Sequence, residues 1–170
     1  CRQPHVTMSL CGFPSPSPRH ADDFGAARLR AQLQALDQER MGPFELEIGG
    51  LASFSSAPYL TVSDVGGRIA GLRDCLAIGD PDRAMERHTA HVTVGLYADA
   101  WPTQAVQGQL DRFELREPLR VRISRIHLMS YAAAVIGGPL TRMADYDLAA
   151  GTLTLTLTPT PTPTLTLTLT

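Results

Sequence analysis

The sequence predicts an α+β domain built from two related halves, and three observations support this. Strand-like and helix-like segments alternate along residues 1–151, and Gly and Pro mark the turns between them. Two of the strand-like segments carry the same six-residue pattern, and each lies at the matching place in its half. We therefore infer duplicated β-α-β lobes, and we expect the first lobe to be truncated at the N-terminus, because it lacks an opening strand and helix and begins at Cys1.

The first half contains two strand patterns around one helix pattern. Two carboxylates can begin the helix, and a Gly-Pro pair ends it. Three apolar residues that alternate with two Glu residues predict a half-buried strand after the helix. The predicted elements are a strand at 3–11, a Pro- and Ser-rich loop at 12–21, a helix from Asp22 or Asp23 to about Arg40, and a strand at 44–48.

The second half alternates in the same way. Its predicted elements are a strand at 57–63, a helix at about 64–78, a strand at 90–97, a helix at about 102–113 and a long strand at 119–128. The apolar alternation of the last strand changes phase near Ser124 and Arg125, which predicts a β-bulge. The segment 139–150 has no clear pattern.

Residues 152–170 form a low-complexity Thr, Leu and Pro tail. The Thr-Leu alternation at 152–158 can add one edge strand, whereas the Thr-Pro repeats at 158–164 lack a donor at every second residue and favour an extended segment. The second uncharged Thr-Leu run is an association hazard.

Composition excludes several functional classes. The net charge is −2, so the chain is not a strongly basic, non-specific nucleic-acid binder. All 15 basic residues are Arg, which removes every lysine mechanism. No apolar run is long enough for a transmembrane helix. The three Cys residues show no CxxC spacing and fit a reducing compartment, so we expect a cytoplasmic protein.

The residues that carry chemistry lie in the two repeated strand patterns, HVTMSL at 5–10 and HVTVGL at 91–96. Side chains at i and i+2 share one face of a strand. Each strand therefore places a His and a Thr side by side, with Val6, Met8 and Leu10 turned toward the core in the first strand. Five His and six Thr residues in 151 make two His-x-Thr matches unexpected by chance.

Two imidazoles that face one pocket suit phosphoryl transfer between hydroxyl groups. One neutral ring takes a proton from the attacking oxygen, and the other, protonated, gives one to the leaving oxygen. Threonine hydroxyls can donate to the non-bridging phosphate oxygens. His88 lies three residues before His91, which is poor zinc geometry without a third ligand, so we expect no metal. His127, in an apolar strand, is expected to be structural.

These motifs resemble those of the 2H phosphoesterase superfamily, which includes bacterial 2′-5′ RNA ligase-like proteins and RNA 2′,3′-cyclic phosphodiesterases. The segment FELEIGGLASF, the strand APYLTV and the late strand that ends HLMSY add to the resemblance, which covers about residues 1–150. It implies two lobes with antiparallel sheets around a central cleft. It also implies that His5 and His91 are the catalytic pair and that Thr7 and Thr93 are the phosphate-binding hydroxyls.

The implied function is that of a metal-independent phosphodiesterase. It would act on a 2′,3′-cyclic phosphate or a 2′-5′ linkage of an RNA end or small nucleotide, with ligation as the reverse reaction. We expect no cofactor, no membrane partner and a monomer.

Further contacts and other functions stay open at this point. Tyr131 and Arg87, near predicted strand ends, are candidate substrate contacts. Arg120, Arg122 and Arg125 form either a solvated sheet face or an RNA-backbone contact. A non-catalytic RNA- or nucleotide-binding module with the same fold is the alternative function, and a metal phosphodiesterase is a third.

Overall fold

The computed structural model describes residues 2–64, 66–80, 87–114, 117–156 and 164–169. Within these ranges the strands are β1 (Val6–Pro14), β2 (Asp23–Phe24), β3 (Phe44–Ser53), β4 (Pro58–Asp64), β5 (His91–Thr93), β6 (Leu119–Ile123), β7 (Arg125–Tyr131), β8 (Thr141–Asp147), β9 (Thr152–Leu155) and β10 (Thr164–Leu169). The helices are α1 (Ala26–Glu39), α2 (Arg68–Leu76) and α3 (Thr103–Leu110).

The strands form two sheets. A six-stranded sheet has the order β2-β1-β10-β7-β8-β9 and is antiparallel except for the short β1–β2 pairing. A four-stranded sheet has the order β5-β4-β3-β6 and is antiparallel throughout. The two His-x-Thr stretches therefore belong to different sheets. This confirms the predicted α+β architecture of two lobes with antiparallel sheets.

One apolar core joins the two sheets. Met8 of β1, Leu46 of β3, Leu72 of α2 and Ile126 of β7 are all fully buried within it. Helix α2 packs against both α1 and β1. Because α2 and the first His-x-Thr strand share this core, the strand has a defined position relative to the four-stranded sheet.

The predicted long strand at 119–128 is wrong, because the chain leaves one sheet and enters the other there. β6 pairs with β3 in the four-stranded sheet, whereas β7 pairs with β8 and β10 in the six-stranded sheet. Ser124 lies between the two strands, and its carbonyl accepts a hydrogen bond from the Leu148 amide at 2.9 Å. The change of apolar phase is a crossing between sheets and not a bulge within one strand.

The expectation that Leu10 faces the core is also wrong. The pairing of β1 with β10 is irregular between Thr7 and Ser9 and again between Leu10 and Gly12. These irregularities break the alternation, so that Met8 is fully buried while Leu10 is 51% exposed. In the second motif, the strand predicted at 90–97 ends at Thr93, and the apolar residues beyond it are exposed.

Helix α1 begins later than the sequence predicts. Asp23 lies in β2, and its Oδ2 accepts hydrogen bonds from the Arg19 and His20 amides at 2.7 and 3.0 Å, so it closes a turn and does not cap the helix. The helix ends where predicted, at Arg40 with a left-handed φ of 47°. Helices α2 and α3 are shorter at both ends than the helices predicted there.

The unassigned segment and parts of the tail also form strands. β8 lies within the segment 139–150 that has no clear pattern, and β9 lies at the edge of the six-stranded sheet. Of the Thr-Pro repeats at 158–164, residues 158–163 lie outside the described residues. β10 lies in the middle of the same sheet, where the side chains of Thr166, Leu167 and Thr168 are buried.

Candidate active site

A cavity of about 440 Å³, called here the first cavity, opens between the two sheets where β1 lies near β5. Its walls come from β1, the turn after β3, the end of α2 and the segment before β5. The lining residues are Thr7, Met8, Ser9, Leu10, Phe54, Arg73, Ala77, Arg87, His88, Thr89 and His91. Both motifs therefore contribute to one cavity, although they are 86 positions apart in the chain.

The two motif histidines are held in the same way. The Nδ1 of His5 donates to the Gln3 carbonyl at 2.7 Å, and the Nδ1 of His91 donates to the Thr89 carbonyl at 2.6 Å. A carbonyl oxygen can only accept, so each contact places a hydrogen on Nδ1. The Nε2 atom of each ring is then the one that can take up or release a proton.

The electrostatic surroundings of His5 favour its neutral form. Burial lowers the pKa of His5 most, the hydrogen bond to the Gln3 carbonyl raises it, and the charges of Arg2 and His91 lower it further. The net effect is a pKa below the ordinary value of 6.5. The influence of His91 also shows that the two imidazoles lie within electrostatic reach of each other.

His91 is surrounded by aromatic rings instead. The ring of Phe54 meets it edge-to-face at 4.9 Å between centroids, and the ring of Tyr59 does so at 5.3 Å. Phe54 and Tyr59 also stack on each other at 4.2 Å. These three rings pack as one group, which limits rotation of the His91 side chain.

Two side chains that line the first cavity tie β1 to the elements around it. Arg73 of α2 donates to the Met8 carbonyl at 2.7 Å, and the Nε2 of His88 donates to the Thr7 carbonyl at 3.0 Å. These bonds join α2 and the segment before β5 to the first His-x-Thr strand. Sequence reasoning did not identify Arg73, His88 or Phe54 as site residues, and no local pattern marks them.

The other residues predicted to form the site have different positions. Arg87 lines the first cavity, whereas Thr93 is exposed and pairs with Tyr59 across the strands. Tyr131 lies under the guanidinium of Arg2, at 4.9 Å from the ring centroid. His5, Thr93 and Tyr131 are not among the residues that line the first cavity.

His127 lies away from the first cavity. It is buried in β7, and its Nδ1 donates to the Asp145 carboxylate. The three arginines near it do not form one strip, because Arg120 and Arg122 belong to β6 and Arg125 belongs to β7. Arg120 pairs with Glu47 and Arg125 pairs with Asp147, all on exposed or half-exposed surface. A solvated sheet face is the interpretation that these pairings favour.

The described residues contain neither a metal-ligating cluster nor a membrane-spanning helix. No group of three or more His, Cys, Asp or Glu side chains there could hold a metal ion. No helix there has both the length and the apolar character needed to cross a membrane.

Comparison with known proteins identifies a family. Residues 1–134 match the model of the 2′-5′ RNA ligase superfamily, which is more than half of the chain and includes both His-x-Thr motifs. No curated protein and no solved structure matches the chain.

Proposed function

The chain belongs to the 2′-5′ RNA ligase superfamily, whose members are 2H phosphoesterases and generally enzymes, and we propose that it is a metal-independent phosphodiesterase. Its substrate would be a 2′,3′-cyclic phosphate or a 2′-5′ linkage at an RNA end or in a small nucleotide. The observation that carries this proposal is that His5 and His91 make the same kind of hydrogen bond, from Nδ1 to a backbone carbonyl. This bond leaves the Nε2 atom of each ring available for proton exchange.

His5 acts as the general base in hydrolysis. Its lowered pKa keeps the ring neutral near pH 7, so that Nε2 can take a proton from water. The water oxygen then bonds to phosphorus as the bond from phosphorus to the leaving ribose oxygen breaks. The Nε2 of His91, protonated at the start, donates its proton to that leaving oxygen. With a 5′-hydroxyl in place of water as the attacking group, the same two imidazoles would serve ligation: the 5′-oxygen bonds to phosphorus as one ribose–phosphorus bond of the cyclic phosphate breaks, and the leaving ribose oxygen takes the proton.

The remaining groups stabilise charge on the phosphate. Thr7 lines the first cavity beside Arg73 and Arg87, so its hydroxyl can donate to a non-bridging oxygen in a positively charged environment. Thr93 holds the equivalent position of the second motif, two residues after His91 in β5, and its exposed hydroxyl would donate to another non-bridging oxygen.

Hydrolysis of 2′,3′-cyclic nucleotides in EDTA tests this function. We expect turnover with a bell-shaped pH profile, and a loss of about 10²- to 10⁴-fold in His5→Ala and in His91→Ala separately. His20→Ala is the matched control, because His20 is exposed in a loop away from the first cavity, and its rate is expected to be unchanged. Binding without turnover would favour the non-catalytic module. Activity that EDTA abolishes would favour a metal phosphodiesterase.

A further inference from the structure

A second cavity, of about 610 Å³, shares the lining residue Phe54 with the first. It is formed by the end of β3 with the turn that follows, the segment 97–103 and one face of α3. Phe54 lines both cavities, so the two adjoin at this side chain. A ligand anchored in the first cavity can extend past this ring into the second.

The walls of the second cavity present aromatic surface to solvent. Trp101 is 62% exposed and Phe54 is 37% exposed. Phe54 is supported from behind by its stack on Tyr59, and the Tyr97 hydroxyl is held by a 2.8 Å hydrogen bond to Ser53 Oγ. Exposed but positioned rings of this kind are suited to stacking against a planar ligand.

The two cavities differ in charge: in the part of the chain that the structure describes, positively charged side chains line the first cavity but not the second. The first cavity has Arg73, Arg87, His88 and His91 in its walls. The lining of the second contains no cationic side chain among the described residues, and its charged member is the carboxylate of Asp99. A phosphate is therefore repelled from the second cavity, whereas an uncharged nucleobase is not.

We propose that the second cavity binds the nucleobase of the nucleotide next to the reacting phosphate, so that the preferred substrate is a dinucleotide or a longer RNA end. This proposal rests on the proposed function, because it takes the first cavity as the site of the reacting phosphate. Phe54, which lines both cavities, brings them next to each other, and Trp101 supplies the stacking surface. A cyclic mononucleotide would fill the first cavity alone.

Kinetics with two substrates test the proposal. The substrates are a 2′,3′-cyclic mononucleotide and a dinucleotide that ends in the same cyclic phosphate. We expect kcat/KM to be higher for the dinucleotide than for the mononucleotide. Trp101→Ala should reduce the dinucleotide-to-mononucleotide ratio of kcat/KM by about 5- to 150-fold, which is the effect of losing one stacked base. Trp101→Phe keeps a ring and should restore most of it. Phe113→Ala removes an exposed aromatic side chain outside the second cavity and should leave the ratio unchanged.

Fluorescence separates failure of this inference from failure of the proposed function. Trp101 is the single tryptophan, so its emission reports on the second cavity without any turnover. We expect the dinucleotide, and not the mononucleotide, to quench Trp101 in the His91→Ala variant. Quenching in His91→Ala together with no turnover of either substrate by the unsubstituted protein would uphold the second cavity and refute the hydrolase. Turnover with equal ratios in all variants and no quenching would refute the second cavity alone.

Discussion

Replacing Met8 or Leu10 by alanine tests whether the pairing irregularities of β1 decide which of its side chains support the core. A regular strand would turn both residues to one face and make the two substitutions equally costly. In the structure Met8 is fully buried while Leu10 is 51% exposed. The free energy of unfolding should therefore separate the two variants.

The expected magnitudes follow from these exposures. Truncating a fully buried Met to Ala removes transfer free energy and leaves a cavity, which costs about 2–5 kcal/mol. Full burial of a Leu side chain stabilises by about 1.5–3 kcal/mol, and half of that is present at Leu10. Since alanine keeps the Cβ, Leu10→Ala should cost less than about 1 kcal/mol.

Urea unfolding followed by far-ultraviolet circular dichroism measures both values. The midpoint should fall far more in Met8→Ala than in Leu10→Ala, with similar slopes in both. Equal losses in the two variants would refute the reasoning, because they would mean that β1 is a regular strand with both side chains in the core.

Two further predictions concern titrating groups. Arg2→Gln removes a positive charge that lowers the pKa of His5, so the acid limb of the pH profile of kcat/KM should move to higher pH. Arg2→Lys keeps the charge and should leave the acid limb in place. An acid limb that does not move in Arg2→Gln would contradict the role of His5 as the general base. Burial raises the pKa of Asp145, but the hydrogen bond and charge of His127, with Arg142, outweigh this and hold it below 3.8. The ionised Asp145 carboxylate therefore stabilises the fold above pH 3.8, and this stabilisation is lost as the pH falls through the lowered pKa. Asp145→Asn should therefore cost about 1–3 kcal/mol of unfolding free energy at pH 7 and flatten the acid side of the stability curve, whereas an unchanged curve would count against the pair.

Local patterns in the sequence were enough to place the two motifs on strands and to identify helices α1, α2 and α3. Alternation and helical spacing are short-range signals, and each depends on residues within one element. The same signals failed at Ser124, because a change of phase has the same form whether a strand bulges or crosses to another sheet. Only the partners of β6 and β7, which are far away in sequence, decide between the two.

For the candidate site too, some features follow from local sequence patterns and others only from tertiary structure. The sequence by itself predicted a strand at each His-Val-Thr motif, because polar and apolar residues alternate there, and the structure has strands at Val6–Pro14 and His91–Thr93. Tertiary structure alone decided that His91 packs against Phe54 and Tyr59, that Arg73 and His88 bond to the backbone of β1, and that a second cavity adjoins the first. These contacts join residues from separate elements, and their positions depend on how the two sheets and α2 pack around one core.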